Sequence, residues 1–235
     1  MLKILPFFIL LGFGFCGQGQ DCERDSSRCA LPSALKEQIL PAGLLTASVA
    51  LNIGNAKKSI QDYFPDTDTR IDNQLKYTPS VLLYTFDLLG FKHRNNILCQ
   101  TTYLLASQAA AGAIVKVTKK VTDIRRPEGG TRSYPSGHTS NAFVGATVLF
   151  LEFRESEPLL AYSGFVLASA TGILRITNDA HWLPDVMAGA AIGMGITTLV
   201  YRLDPLKKIT LLRKNKELSF VPGIGDQGLN LKILF

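Results

Sequence analysis

Residues 134–153 read YPSGHTSNAFVGATVLFLEF, a stretch that joins a short polar motif to an apolar segment. Residues 139–153 show no sustained alternation of apolar and polar residues, which favours a buried helix over a strand. Ser136 stands where a hydroxyl can accept a hydrogen bond from the first free N–H groups of a helix. Gly137 allows the backbone to approach a ligand closely. The stretch therefore predicts a helix capped by Ser136, with its positive end directed at an anion.

The rest of the chain has the same apolar, helical composition. Short polar loops join most of the apolar segments, as in a helical bundle. Near the C-terminus, a turn-rich stretch at 222–226 precedes an alternation of apolar and polar residues over 229–235, which indicates a hairpin; a disordered tail is the alternative. The sequence thus predicts an all-α bundle of about six helices, with the active site at one end and a small C-terminal β-hairpin-like tail. The predicted helical segments are 39–54, 79–91, 97–117, 139–153, 158–174 and 186–201.

The N-terminus has the pattern of a secretory signal. Lys3 supplies a positive charge, residues 4–15 form an apolar core too short to span a bilayer, and Gly17 and Gly19 offer small residues for cleavage. Export makes a local disulfide between Cys22 and Cys29 plausible, whereas Cys99 is predicted to be a packed thiol. The predicted organisation is a signal peptide at 1–20, a polar lead at 21–36, a helical domain at 37–205 and a basic, strand-like tail at 206–235.

The composition and charge of the chain indicate which substrates and surfaces it can bind. The chain has 235 residues, a hydrophobic content of 46% and a net charge of +6. A positive charge suits an anionic substrate or an anionic membrane surface. Because the sequence has no zinc-finger spacing and no aromatic-basic RNA motif, no nucleic-acid partner is expected.

Two further clusters flank the opening stretch. Lys119 and Arg126 precede it, and Arg175, His181 and Asp185 follow it. Guanidinium groups bind phosphate through two parallel hydrogen bonds, and a lysine adds a point charge. His181 and Asp185 are four residues apart at the predicted start of the last helix, so they share one face. A carboxylate bonded to one ring nitrogen leaves the other nitrogen as a nucleophile.

Two of the three histidines belong to these clusters. His138 follows Gly137 and could protonate a leaving oxygen and then activate water. His93 stands between Lys92 and Arg94 and is predicted to be a surface loop residue.

The connection 55–78 contains Asp66, Asp68 and Asp72, which only poorly resemble a calcium loop. No glycine follows in the required place, and Tyr77 stands where a bidentate glutamate is needed. The prediction is a solvated acidic loop.

The spacings K-x6-RP, PSGH and R-x5-H-x3-D resemble the signature of the type 2 phosphatidic acid phosphatase / vanadium haloperoxidase superfamily, from about residue 95 to residue 190. The resemblance implies that His181 becomes phosphorylated, that Asp185 orients it and that His138 is the general acid. One position departs from the family pattern, because Leu174 stands where a serine usually precedes the arginine. The phosphate-binding residues implied by the resemblance are Lys119, Arg126, Ser136, Gly137 and Arg175.

The expected function is that of a metal-independent, acid-phosphatase-type phosphomonoesterase, which removes phosphate from a lipid phosphate or diphosphate through a phosphohistidine. No cofactor or metal is expected, and vanadate is expected to inhibit as a mimic of phosphate. The alternatives are a phosphatase of soluble esters, a vanadate-dependent haloperoxidase, and a non-catalytic envelope protein that retains the site. Phosphatidic acid, phosphatidylglycerol phosphate, prenyl diphosphates and the phosphates of lipid A all remain open as substrates.

The expected location is the bacterial cell envelope. If segment 39–54 lies on the membrane surface and the other five segments cross, the basic tail stays inside, as the positive-inside tendency requires, and the site faces the periplasm. A peripherally bound bundle in the periplasm gives the same exposure of the site. The sequence therefore predicts an exported, membrane-associated enzyme with a periplasmic active site.

Overall fold

The computed structural model describes residues 33–53, 56–203, 219–225 and 228–234. The predicted signal peptide, most of the predicted polar lead, and Cys22 and Cys29 with their predicted disulfide lie outside the described residues. Within them the chain forms eight helices, and the all-α prediction is confirmed. The helices are α1 Ser33–Asn52, α2 Ala56–Gln61, α3 Asp72–Leu75, α4 Thr78–Leu88, α5 Ile97–Thr122, α6 Gly137–Phe153, α7 Pro158–Thr177 and α8 Leu183–Leu203.

The six predicted segments correspond to α1 and α4–α8, with ends shifted by a few residues. α1 begins at Ser33, inside the segment predicted as a polar lead. The short helices α2 and α3 fall in the connection 55–78, which the sequence describes only as a loop. Because α2 and α3 have six and four residues, neither is long enough to produce a recognisable hydrophobic period.

The predicted tail hairpin is present in the backbone, but residues 222–225, which were predicted as part of the turn, belong to the first strand. Strand β1 (Ser219–Gly225) pairs antiparallel with β2 (Gly228–Leu234), so that Ser219 lies opposite Leu234 and Gly225 opposite Gly228.

α6 is the central helix of the bundle, and α4, α5, α7 and α8 all pack against it. Val144, Val148, Leu149 and Phe153 of α6 are fully buried, together with Leu83 of α4. Burial on all sides explains why α6 reads as a continuously apolar stretch rather than as an amphipathic one.

α8 approaches the first turn of α6 so closely that only glycine fits. A Cβ atom on Gly189 would lie 2.5 Å from the carbonyl oxygen of Ser136, and one on Gly193 would lie 2.7 Å from that of Ser140. Both contacts are with backbone, which cannot rotate away. The absence of side chains at Gly189 and Gly193 therefore allows the PSGH turn to pack directly against α8.

We expect Gly189→Ala to lower stability by about 1–3 kcal/mol, because the new methyl group forces the Ser136 backbone to move. Tm and catalytic activity should fall together, since Ser136 belongs to the proposed site. Gly112→Ala is the matched control: a Cβ there meets nothing within 4 Å, and alanine favours a helix interior over glycine by about 0.5–1 kcal/mol. Equal Tm values for the two variants would contradict the close approach.

Two of the described helices, α7 and α8, are long and apolar enough to span a bilayer, as judged by length and composition alone. Most of α8 is buried within the bundle, as in the core helix of a soluble protein. α7 differs, because much of it faces outward and its exposed side chains are largely apolar. These exposed apolar residues of α7 are Leu159, Tyr162, Val166 and Ile173.

Candidate active site

The helix cap predicted at the PSGH motif is confirmed. Ser136 has an extended backbone at the N-cap of α6, and its Oγ accepts a hydrogen bond from the Thr139 backbone N–H at 3.4 Å and from Thr139 Oγ1 at 2.9 Å. Gly137 is the first residue of the helix. The backbone N–H of Ser136 donates to the carbonyl of Asp185 at 2.9 Å, which joins this turn to the first turn of α8.

His181 lies in the loop before α8, and its side chain is buried with that of Asp185. The Nδ1 atom of His181 is 3.4 Å from Asp185 Oδ2 and 3.3 Å from Ser133 Oγ. Ser133 Oγ also donates a short hydrogen bond to Asp185 Oδ2, and the Trp182 backbone N–H donates to the same oxygen at 3.0 Å. These contacts engage Nδ1, so Nε2, on the opposite edge of the ring, is the nitrogen that can act on a ligand.

Ser133 was missed by the sequence analysis. It lies two residues before the PSGH motif, and a single sequence gives no signal that separates it from any other serine of that loop.

Lys119 and Arg126 lie on the same side of the site as Ser133. Lys119 Nζ donates to the carbonyl oxygens of Arg132 at 2.6 Å and Ser133 at 2.8 Å. Arg126 forms an exposed ion pair with Glu128 at 3.1 Å. Both predicted phosphate-binding cations therefore have internal partners when no ligand is bound.

Arg175 is paired with Asp72, and this contact corrects one prediction. Asp72 does not belong to a solvated acidic loop: it is 1% exposed, and its Oδ2 accepts from Arg175 Nη1 at 2.6 Å. Asp66 and Asp68 are exposed, as predicted. Asp72 differs because α3 turns it inward onto the last turn of α7.

His138 faces the segment that carries Asp72. Its Nε2 atom is 2.8 Å from Asn73 Oδ1 and 3.2 Å from Lys76 Nζ. A neutral ring can accept from the Lys76 ammonium, whereas a ring protonated at Nε2 donates to Asn73. Neither Asn73 nor Lys76 matches a sequence motif, so only the structure identifies them as site residues.

His93, the third histidine, lies far from these groups in sequence and is half-buried rather than freely exposed. Its Nδ1 contacts the carbonyl of Asn95, and its Nε2 is 3.9 Å from Asp87. Cys99 is a half-buried free thiol. Among the described residues, no group of three or more histidine, cysteine, aspartate or glutamate side chains is arranged to hold a metal ion.

The electrostatics of the site favour neutral imidazoles in the absence of ligand. Burial, reinforced by Arg175 and Lys76, lowers the pKa of His138 to about 4. Burial also lowers the pKa of His181 to about 4, against the opposing effect of Asp185. A neutral His181 has a free lone pair for attack on phosphorus. An incoming phosphate anion would raise the pKa of His138, which is the direction that a proton donor needs.

Burial and the neighbouring Arg126 charge lower the pKa of Lys119 to about 8, while Asp185 opposes the shift. The positive charge of Arg175 also lowers the pKa of Lys119. The structure thus brings together all of the residues that the sequence predicts for the site, and it adds Ser133, Asp72, Asn73 and Lys76.

The helical bundle and the residues of its site match a known protein family. Residues 39–208 match the family model described as the PAP2 superfamily, and the chain is a member of that superfamily. The resemblance drawn from the three motifs is therefore confirmed.

Two relatives carry descriptions of lipid phosphatases. The chain is 34% identical over 172 residues to a lipid A 1-phosphatase of Porphyromonas gingivalis, a match that covers 72% of this chain and 38% of the relative. It is 34% identical over 84 residues to lipid phosphate phosphatase 1 of Arabidopsis thaliana, covering 31% of this chain and 26% of the relative. The chain thus spans well under half the length of these relatives.

Two solved structures are similar to this chain at lower sequence identity than the two relatives above. Aquifex aeolicus LpxE matches with 22% identity and a TM-score of 0.46, covering 56% of this chain and 84% of that one. A transmembrane PAP2-type phosphatidylglycerolphosphate phosphatase from Bacillus subtilis matches with 18% identity and a TM-score of 0.49, covering 75% of this chain and 98% of that one.

Proposed function

We propose that this protein is a metal-independent phosphatase that removes the terminal phosphate of a lipid phosphate or diphosphate through a phosphohistidine intermediate. The observation that carries the proposal is the arrangement of His181, whose Nδ1 is held by Ser133 and Asp185. Membership of the PAP2 superfamily supports the same chemistry.

The proposed reaction has two steps. In the first, His181 Nε2 attacks phosphorus, the bond to the leaving oxygen breaks, and His138 gives that oxygen its proton. Asp185 stabilises the positive charge that develops on the His181 ring. In the second, His138 takes a proton from water, the water oxygen attacks the phosphohistidine, and inorganic phosphate leaves as His181 is restored.

The protein can stabilise the transferring phosphoryl group with its own side chains. Lys119, Arg126 and Arg175 provide positive charge for the equatorial oxygens, and the Gly137 N–H at the start of α6 adds a backbone donor. These groups supply the charge that a metal ion provides in other phosphatases, so the proposed mechanism needs none.

A lipid substrate and an association with the membrane are supported by the outward face of α7. Leu159, Tyr162, Val166 and Ile173 are large apolar side chains exposed on one helix, and exposed apolar surface of this kind marks contact with a membrane or a partner. The net charge of +6 adds attraction to anionic lipid. The names of the two relatives agree with a lipid phosphate substrate.

The test of this function is the release of inorganic phosphate from a panel of lipid and soluble phosphate esters, measured with EDTA and without added metal. We expect release from lipid substrates to be unchanged by EDTA and to be inhibited competitively by vanadate, which would occupy the phosphate position. Activity that is lost in EDTA and restored by magnesium or zinc would contradict the mechanism. Release from soluble esters alone would support the alternative substrate class.

We further propose that the site faces the periplasm, because the loops that carry it meet at one end of the bundle and the sequence begins with the pattern of an export signal. The test is a Thr131→Cys variant in a background whose native cysteines are replaced by serine. Thr131 is exposed on the loop next to Lys119. A thiol reagent that cannot cross membranes should label intact cells after permeabilisation of the outer membrane alone. Labelling only after lysis of the inner membrane would place the site in the cytoplasm.

A further inference from the structure

One short segment contributes three side chains to the site, although no motif covers it. Asp72 binds Arg175 at 2.6 Å, and Asn73 and Lys76 both contact Nε2 of His138, at 2.8 Å and 3.2 Å. Two of these contacts have a clear internal role: Asp72 neutralises the Arg175 guanidinium, and Asn73 Oδ1 can accept a hydrogen bond from a protonated His138 ring. The third contact, between Lys76 and His138, is different. It places the Lys76 cation next to a ring that must itself be protonated during part of the proposed reaction.

The charge of Lys76 has no carboxylate partner within the part of the chain that the structure describes. Arg126 and Arg175, in contrast, each form an ion pair. The Lys76 ammonium instead lies 4.9 Å above the ring of Tyr77, a contact that holds it in place without neutralising it. The Lys76 ammonium can therefore form an ion pair with an anionic group of a ligand.

The location of Lys76 identifies which part of a substrate it would meet. In the mechanism above, the leaving oxygen takes the proton of His138 and must come within hydrogen-bonding distance of that ring. Because Lys76 Nζ is 3.2 Å from the Nε2 atom of the same ring, it lies beside the leaving group rather than beside the phosphoryl group that is transferred.

We propose that Lys76 is a specificity-determining residue that binds a negatively charged leaving group, so that the site favours lipid diphosphates over lipid monophosphates. The inference rests on the proposed function. When a diphosphate reacts, the bond between the terminal phosphorus and the bridging oxygen breaks, and the leaving group is a lipid monophosphate whose other oxygens are anionic. When a monophosphate such as phosphatidic acid or a prenyl monophosphate reacts, the leaving group is a neutral alcohol, which gives Lys76 no anion to bind.

Farnesyl diphosphate and farnesyl monophosphate in the same detergent micelles form a suitable pair of probes, because they share the lipid and differ in the leaving group. We expect Lys76→Met to lower kcat/KM for the diphosphate by about tenfold or more, the usual effect of losing a hydrogen bond to a charged group. The monophosphate value should change by less than about threefold. Lys76→Arg should retain the preference, and Lys116→Met, which removes an exposed lysine of α5, should alter neither substrate.

Comparing the change in kcat/KM for the diphosphate with that for the monophosphate separates a loss of specificity from an effect on His138. Removing the Lys76 charge also raises the pKa of His138, but that change acts mainly on the monophosphate, because an alcohol leaving group depends on the proton of His138 more than a phosphate leaving group does. A loss confined to the diphosphate therefore reports the binding of the anionic leaving group. An equal loss for both substrates, or no loss for either, would overturn the inference while leaving the phosphatase function intact. A wild-type protein that hydrolyses neither probe and no other phosphate ester would overturn the proposed function itself, and the inference with it.

Discussion

Replacement of His181 by alanine is expected to lower kcat/KM by at least about three orders of magnitude, because it removes the proposed nucleophile on which both steps depend. The fold should survive, since the loss of one buried imidazole leaves Asp185 with its hydrogen bonds from Ser133 and the Trp182 backbone. Steady-state kinetics on a lipid phosphate, with Tm as the check on folding, measure the effect.

Direct observation of the intermediate makes this test more specific. Wild-type protein quenched in alkali during turnover should carry phosphate on His181, since phosphohistidine survives alkali and is lost in acid, whereas the His181→Ala variant should carry none. His93→Gln is the matched control, because His93 lies outside the site. Near-full activity in the His181→Ala variant would exclude the phosphohistidine mechanism.

The second large effect is expected at Asp72. Asp72→Ala leaves Arg175 as a charge whose side chain is only 11% exposed, without its partner, and breaking a buried ion pair from one side costs about 3–5 kcal/mol of stability. Arg175 also loses the contact that orients its guanidinium group, so we expect kcat/KM to fall about 100-fold, as for the loss of one preorganised donor. Tm and phosphate-release kinetics on the same preparation measure both.

Asp68→Ala provides the control for Asp72, because it removes the same charge from an exposed position four residues earlier. It should leave Tm and kinetics close to those of the wild type. If the two variants behaved alike, the inward position of Asp72 would be wrong, and the description of residues 66–72 as a solvated loop would stand.

The three motifs could be recognised in the sequence because the chemistry fixes both the residue types and their spacing. His181 and Asp185 stand four residues apart, close enough for the carboxylate to meet the ring even though His181 lies in the loop before α8, and Ser136 stands directly before a helix. Asp72 could not be found in this way. Its partner Arg175 is more than a hundred residues away, and no periodic pattern distinguishes an inward carboxylate from the two exposed ones beside it.

The long helices could be predicted for a similar reason. α6 is buried on nearly all sides, and its residues from Ala142 onward are therefore mostly apolar, a pattern that is visible in the sequence alone. α3 has only four residues and takes its position from the ion pair with α7 rather than from its own hydrophobic face. The contacts of Asn73 and Lys76 depend on that position, so they were accessible only from the folded chain.

The internal partners of the three phosphate-binding cations have a consequence for turnover. Lys119 donates to two carbonyl oxygens, Arg126 pairs with Glu128 and Arg175 pairs with Asp72 before any ligand enters. In the proposed mechanism, substrate binding is therefore an exchange of partners, and so is its reversal when inorganic phosphate departs. Under the proposed mechanism, a site that solvates its own charges in this way gives up part of its affinity for the anion, and the same exchange favours the departure of inorganic phosphate.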